Sequence, residues 1–206
     1  MAVEREIKSS VAETFVLPDL DGTAGLHAVD RGVRMLDATY WDTDSLQLMR
    51  SGYGLRHRTT DGAAGRWTLK GGSRREGDAM VREELEVPGA PTELPTEVSE
   101  RLRGVIRLAD LHPVVTLRTA RHVVDLDAGG TPWAEVADDT VSVRDGDREV
   151  ERFREVELEL VGGEGDDPRV GAVLSRLREA GSGAPESSSK YVRGLRALGY
   201  DVPSRD

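Results

Sequence analysis

Glu4, Glu6 and Lys8 stand two residues apart near the start of the chain, and Glu155, Glu157 and Glu159 do the same near its end. In an extended strand, residues two apart project to one side, so each set forms a single row. Val3 and Ile7 lie opposite the first row, and Val156, Leu158 and Leu160 opposite the second. Carboxylates on neighbouring same-face positions resist joint ionisation, so something positive must stand between them. Divalent cations can do this, as can basic rows on partner strands. Arg56 and Arg58 alternate with Leu55, Lys70 with Trp67 and Leu69, and Arg82, Glu84 and Glu86 with Val81, Leu85 and Val87. Such a set suits a small phosphorylated molecule. A triphosphate carries about four negative charges near neutral pH, and offsetting its desolvation takes several guanidinium and ammonium groups plus metal. Lys8, Arg56, Arg58, Lys70, Arg82 and Arg118 are candidates for the phosphates. Glu4, Glu6 and the 155/157/159 row are candidates for ions that orient a terminal phosphoryl group and activate an in-line water.

Composition narrows the partners. With 38 acidic against 28 basic residues the formal charge is −10, which argues against a nucleic-acid or anionic-membrane footprint and for a small polyanion met by locally gathered bases. Only three of the basic residues are lysines, Lys8, Lys70 and Lys190, which draws attention to each. The absence of cysteine excludes disulfides, thiolate catalysis and cysteine zinc sites, and the four histidines show no metal-ligand spacing. A metal here should be oxygen-bound, which favours Mg²⁺ or Mn²⁺. No run of eighteen apolar residues occurs, and Glu4 falls where a signal peptide would need an apolar stretch, so a cytoplasmic protein, monomeric or homodimeric, is expected.

The elements that must position these residues are mostly strands. Segments near 2–9, 36–42, 53–59, 65–71, 80–87 and 150–161 show period-two alternation, and 113–127 and 132–144 each read as one strand or two. Asp61-Gly62, Gly71-Gly72 and Gly129-Gly130 supply turns between them. Helical stripes occur at 95–108 and 168–180, and a Gly/Ser/Pro-rich link from Gly181 leads to a short last helix near Lys190. The class is α+β, mainly β, with peripheral helices; the strand count fits a barrel or a sandwich. On an open sheet the charged faces would simply be solvated. Closed into a barrel, they would line a water-filled bore of mixed charge.

The Glu4-x-Glu6-x-Lys8 strand resembles the opening motif of the CYTH, or triphosphate tunnel metalloenzyme, superfamily. Tyr40-Trp41-Asp42-Thr43, Leu55-Arg56-His57-Arg58, Trp67-Thr68-Leu69-Lys70, Arg82-x-Glu84-x-Glu86, Arg118-x-x-Arg121, Glu155-Val156-Glu157-Leu158-Glu159-Leu160 and Ser189-Lys190 are similar to later elements of that family in the same order. All three lysines fall on motif positions. The resemblance implies an eight-stranded antiparallel β-barrel in one domain over 1–200. The polar tail 201–206 would lead toward a further C-terminal domain of the polyphosphate-associated helical type. It also implies Mg²⁺ or Mn²⁺ held by Glu4, Glu6, Glu157 and Glu159, with Glu84, Glu86, Glu155 and Asp138 as second-rank ligands. Phosphate would fall to Lys8, Arg56, Arg58, Lys70, Arg82, Arg118 and Lys190, with Glu4, Glu6 and Lys8 as the catalytic residues.

Hydrolysis of inorganic triphosphate is the leading expectation, since the lining is charged and shows no evident device for recognising a base. Thiamine triphosphatase and class IV-type adenylyl cyclase are alternatives. Either would need a stacking surface, for which Trp41, Tyr53, Trp67 and Trp133 are candidates, though each is also explained by packing. A polyphosphate-binding module with weak catalysis is a further alternative. Arg118 and Arg121, three apart, cannot both face inward on an unbroken strand, and Arg118 is the preferred one. Which of Glu135, Asp138 and Asp139 faces the bore stays open. His57, between two inward arginines, should face outward.

Overall fold

The computed structural model describes residues 2–161 and 167–202. In chain order its elements are β1 (Ala2–Val11), β2 (His27–Asp42), α1 (Gln47–Arg50), β3 (Gly54–Thr60), β4 (Arg66–Glu76), β5 (Ala79–Pro88), α2 (Thr96–Leu102), β6 (His112–Ala128), β7 (Thr131–Asp145), β8 (Arg148–Leu160), α3 (Pro168–Glu179) and α4 (Lys190–Ala197). Every strand pairs antiparallel with two neighbours, and the sheet closes in the order β1-β5-β4-β3-β2-β6-β7-β8. Closure leaves no exposed edge and removes the sandwich and open-sheet alternatives. Among the described residues, no helix is long and apolar enough to cross a membrane.

The outer face carries two apolar layers. Ile7, Val124, Leu126, Val136, Val156 and Leu158 pack under the α3 stripe Val170, Val173, Leu174 and Leu177. Burying each Val or Leu of such a stripe contributes roughly 1.5–3 kcal/mol. Asp167 starts α3 by accepting a hydrogen bond from the Arg169 N–H at 2.9 Å, with Pro168 in the first turn. On the other flank Leu55, Trp67 and Leu69 pack with Val98 and Leu102 of α2 and with Ile106. The helix expected over 95–108 stops at Leu102, just before Gly104, whose helix propensity is poor; Val105 and Ile106 still pack on the same layer.

Several strands run longer than alternation indicates. β2 begins at His27, because its pairing with β6 continues past a register shift between Asp30 and Gly32 that breaks the period-two pattern. β6 and β7 are single strands joined by Gly129-Gly130, both at positive φ, as a two-residue hairpin requires.

The third apolar cluster lies inside the barrel. Tyr40, Val115, Leu117, Val141, Val143 and Phe153 pack with Tyr191 and Leu195 of α4, filling one end. A Cβ on Gly194 would come within 3.0 Å of Leu117 and Val115, so glycine lets α4 seat this deeply. The expected open, water-filled bore is therefore corrected: only one half is polar, and the other is a packed floor.

Candidate active site in the barrel bore

The polar half holds a cavity of about 330 Å³. Its acidic lining is Glu4, Glu6, Glu84, Glu86, Glu135, Asp139, Glu157 and Glu159; its basic lining is Lys8, Arg34, Arg56, Arg58, Lys70, Arg82, Arg121 and Lys190. The formal charges cancel. Lys70 Nζ lies 2.5 Å from Glu4 Oε1 and 3.8 Å from Glu84, and Arg82 lies 2.8 Å from Glu6. Arg121 donates to both Asp139 oxygens at 2.8 and 2.6 Å and to Glu157 at 2.6 Å. At the mouth, Glu86 meets Arg58 at 3.5 Å and Arg66 at 3.4 Å.

Two expected residues lie elsewhere. Arg118 is on the outer surface, its side chain 59% exposed and 3.5 Å from Asp37. β6 pairs with β7 without interruption from Thr116 to Leu126, so Leu117, Thr119, Arg121 and Val123 face the cavity and Arg118 cannot. Asp138 is also outside, paired with Arg154 at 2.7 Å; Arg154 in turn donates to the Glu13 and Phe15 carbonyls and ties the loop after β1 to the barrel. Of the three open carboxylates, Glu135 and Asp139 face inward. Arg121, weighed against Arg118, also lines the cavity, and Arg34 and Tyr40 are lining residues that the sequence reading did not propose for the site. Arg121 and Asp139 are register partners on β6 and β7, a pairing that only the folded sheet supplies, and Arg34 lies on the stretch of β2 that the sequence leaves unassigned.

His57 faces outward, bonded to the Gly89 carbonyl at 3.0 Å and edge-on to Trp67. Trp41, Tyr53 and Trp67 belong to one outer layer and Trp133 to the other, so none can stack on a ligand in the bore. Tyr40 is the single aromatic residue lining the cavity among the described residues, and its ring is stacked on Tyr191 at 4.6 Å and 3°.

Residues 2–188 match the CYTH domain. The chain belongs to the CYTH domain family. It is similar to the uncharacterized protein Rv2226 of Mycobacterium tuberculosis, 31% identical over 210 residues, covering 95% of this chain and 40% of that relative. The chain thus spans well under half the length of the curated relatives it matches. Among solved structures it is similar to the adenylyl cyclase candidate HpAC1 from Hippeastrum, which has a dominant triphosphatase activity (TM-score 0.65, 19% identity, 97% and 98% of the two chains). An adenylate cyclase candidate from Bacillus halodurans has a TM-score of 0.63 at 19% identity, over 91% and 95% of the chains. These likenesses establish the shared barrel fold.

In this CYTH domain acidic and basic groups interleave around the bore, and burial perturbs several of them. Burial pushes the Glu159 carboxyl up to about 7, reinforced by Glu4 and Glu157. Burial likewise raises Glu84, against the pull of Lys70. Burial would also raise Glu4, but Lys70, Arg82 and Arg56 together hold it below the usual carboxylate range. Arg56 and burial push the Arg58 guanidinium down to about 10, whereas, against burial, Tyr40, Glu84 and Glu4 hold Arg56 above its ordinary value.

The donor chemistry of part of this lining is of the kind a metal takes. Glu4 Oε2 is buried with no hydrogen-bond partner, and Glu159 lacks a compensating cation strong enough to keep it in the carboxylate range. Glu4, Glu6, Glu84 and Glu159 all line the cavity and offer only oxygen, the donor type that a hard divalent ion takes. Among the described residues the acidic group whose ligand atoms gather within 4.8 Å of one another is Asp139, Glu155 and Glu157, and Lys190 stands among them.

Proposed function

We propose that this CYTH domain hydrolyses a triphosphate with Mg²⁺ or Mn²⁺, and that inorganic triphosphate is the preferred substrate. One observation carries the reading: Arg56, Arg58 and Arg82 each bury an Nε–H that has no partner, in a cavity whose lining also carries Glu4, with its own unpartnered Oε2, and Glu159. Unpaired buried donors cost free energy unless a ligand satisfies them, and guanidinium forks match phosphate oxygens. Anion-seeking and cation-seeking groups thus share one space of small-molecule size.

Arg56, Arg58, Arg82, Lys70 and Arg121 would bind and align the phosphates, with Lys8 beside them. Glu4, Glu159, Glu6 and Glu84 would hold the metal, which when bound supplies Lewis-acid stabilisation and lowers the pKa of water. Because the sixteen lining charges cancel, an entering triphosphate brings uncompensated negative charge, which favours its arrival with divalent ions. The apolar floor limits water to one open end. An inorganic substrate is favoured over a nucleotide or thiamine derivative because the one aromatic ring of the lining is already stacked on Tyr191. The triphosphatase activity of HpAC1 supports the same choice.

Phosphate release from tripolyphosphate, with Mg²⁺ and with Mn²⁺, tests the proposal; chromatography of ATP products separates cyclic AMP from ADP. Release that falls at least tenfold in Arg56→Ala and in Glu4→Ala is expected. No turnover, or variants equal to wild type, would sink it, and cyclic AMP as the main product would replace it with a cyclase.

A further inference from the structure

Asp139 of β7 and Glu155 of β8 are register partners, and Glu157 follows on the same inward row. One oxygen from each lies within 4.8 Å of the others, a spacing that a cation could share. The place is taken. Lys190 Nζ lies 2.9 Å from Asp139 Oδ2 and 2.6 Å from Glu157 Oε1, and it also contacts Glu155. An ammonium group has three protons to donate, and here three carboxylates converge on it. Arg121 adds its paired bonds to Asp139 and one to Glu157. Lys8 acts electrostatically on Glu155 and Glu157.

The chain around Lys190 is built to deliver it. Gly183 N–H and Glu186 N–H donate to the Ser10 and Lys8 carbonyls at 3.0 and 2.9 Å, so the link runs along β1 before α4 begins. Ser189 caps α4 by accepting from the Val192 N–H. One residue after Lys190, the Tyr191 hydroxyl donates to Asp42 at 2.8 Å while its ring stacks on Tyr40. Asp42 is itself fixed, accepting from the Thr43, Leu48 and Met49 N–H groups.

We propose that Lys190 is a resident cation of the site: it fills the Asp139/Glu155/Glu157 group, keeps divalent metal out of it, and confines metal to the Glu4/Glu159 side. This differs from the phosphate-binding role that the family resemblance implies for Lys190, and it rests on the proposed function only for the location of the other metal. A buried ammonium held by three carboxylates is costly to displace, because its departure leaves them uncompensated. Removing the ammonium while keeping the chain folded should turn the group into a divalent-ion site.

Mn²⁺ titration followed by electron paramagnetic resonance of the free ion, without substrate, reads this directly. Lys190→Met should bind one more Mn²⁺ per chain than wild type, Lys190→Arg should not, and adding Asp139→Asn to Lys190→Met should abolish the gain. Asp139→Asn alone should leave the wild-type stoichiometry unchanged. A folded Lys190→Met protein with wild-type stoichiometry overturns the proposal, as does a loss of Mn²⁺ on Asp139→Asn alone. Lys190→Gln replaces the methionine variant if that one fails to fold by circular dichroism. Wild type that binds no Mn²⁺ would sink the metal part of the proposed function, whereas a gain in Lys190→Met would still support the role of Lys190.

Discussion

Replacing Glu159 by Gln should stabilise the metal-free protein at pH 8 and do so progressively less as the pH falls. Burial and the neighbouring Glu4 and Glu157 carboxylates raise the folded-state pKa of Glu159 to about 7, against 4.5 as its ordinary value. The group therefore contributes stability that is fully present below pH 4.5 and lost as the pH rises through 7. At 1.36 kcal/mol per unit, the shift corresponds to about 3 kcal/mol, of which roughly 2–3 kcal/mol falls between pH 5 and pH 8. Solvent that still reaches the carboxylate makes this an upper value. In a domain of this size it corresponds to about 5–10 °C in Tm. Urea denaturation in chelator at pH 5, 6.5 and 8 measures it, and repetition with Mn²⁺ supplies the contrast: metal should stabilise wild type at pH 8 and stabilise Glu159→Gln less. A stability difference between the two proteins that is the same at pH 5 and pH 8 would refute the reasoning, because no raised carboxyl would then be present.

Arg118→Ala should change stability by no more than about 0.5 kcal/mol and leave tripolyphosphate binding intact, since its ion pair with Asp37 is exposed. Arg121→Ala, three residues on, should destabilise by about 3–5 kcal/mol in denaturant titrations, because it strips a buried partner from Asp139 and Glu157. Asp138→Ala should cost about 3 kcal/mol through its broken pair with Arg154, with Mn²⁺ affinity unchanged by calorimetry. Gly65→Ala would place a Cβ 2.2 Å from the His57 ring and should lower stability by about 1–3 kcal/mol, read as Tm, without altering the bore.

The opening row Glu4, Glu6 and Lys8 was legible because its strand has one charged and one apolar face, so a period of two assigns the sides. The same held for Arg56 and Arg58, for Arg82, Glu84 and Glu86, and for Glu155, Glu157 and Glu159, all of which the fold brings to the inner face. β6 gave no such contrast. Leu117 and Val123 face inward while Val124 and Leu126 face outward, so apolar residues stand on both sides and alternation cannot choose between Arg118 and Arg121. β7 poses the same difficulty: Asp138 and Asp139 are adjacent, and only their register partners Val156 and Glu155 on β8 decide which carboxylate is internal.

Composition and spacing by themselves determined that this chain is mainly β, that several strands carry a charged side, and that any metal must be bound through oxygen. These are properties of residue types and of a two-residue period, which exist before any strand meets another. Closure, the absolute facing of β6 and β7, the apolar floor under Tyr40 and the seating of Lys190 among three carboxylates were decided only in the tertiary structure. Each depends on contacts between segments far apart in sequence: Tyr191 with Asp42, Lys190 with Asp139, and the 183–186 link with β1. A lysine on a short C-terminal helix carries no local signal of the carboxylates it will meet, and only the closed barrel brings them to it.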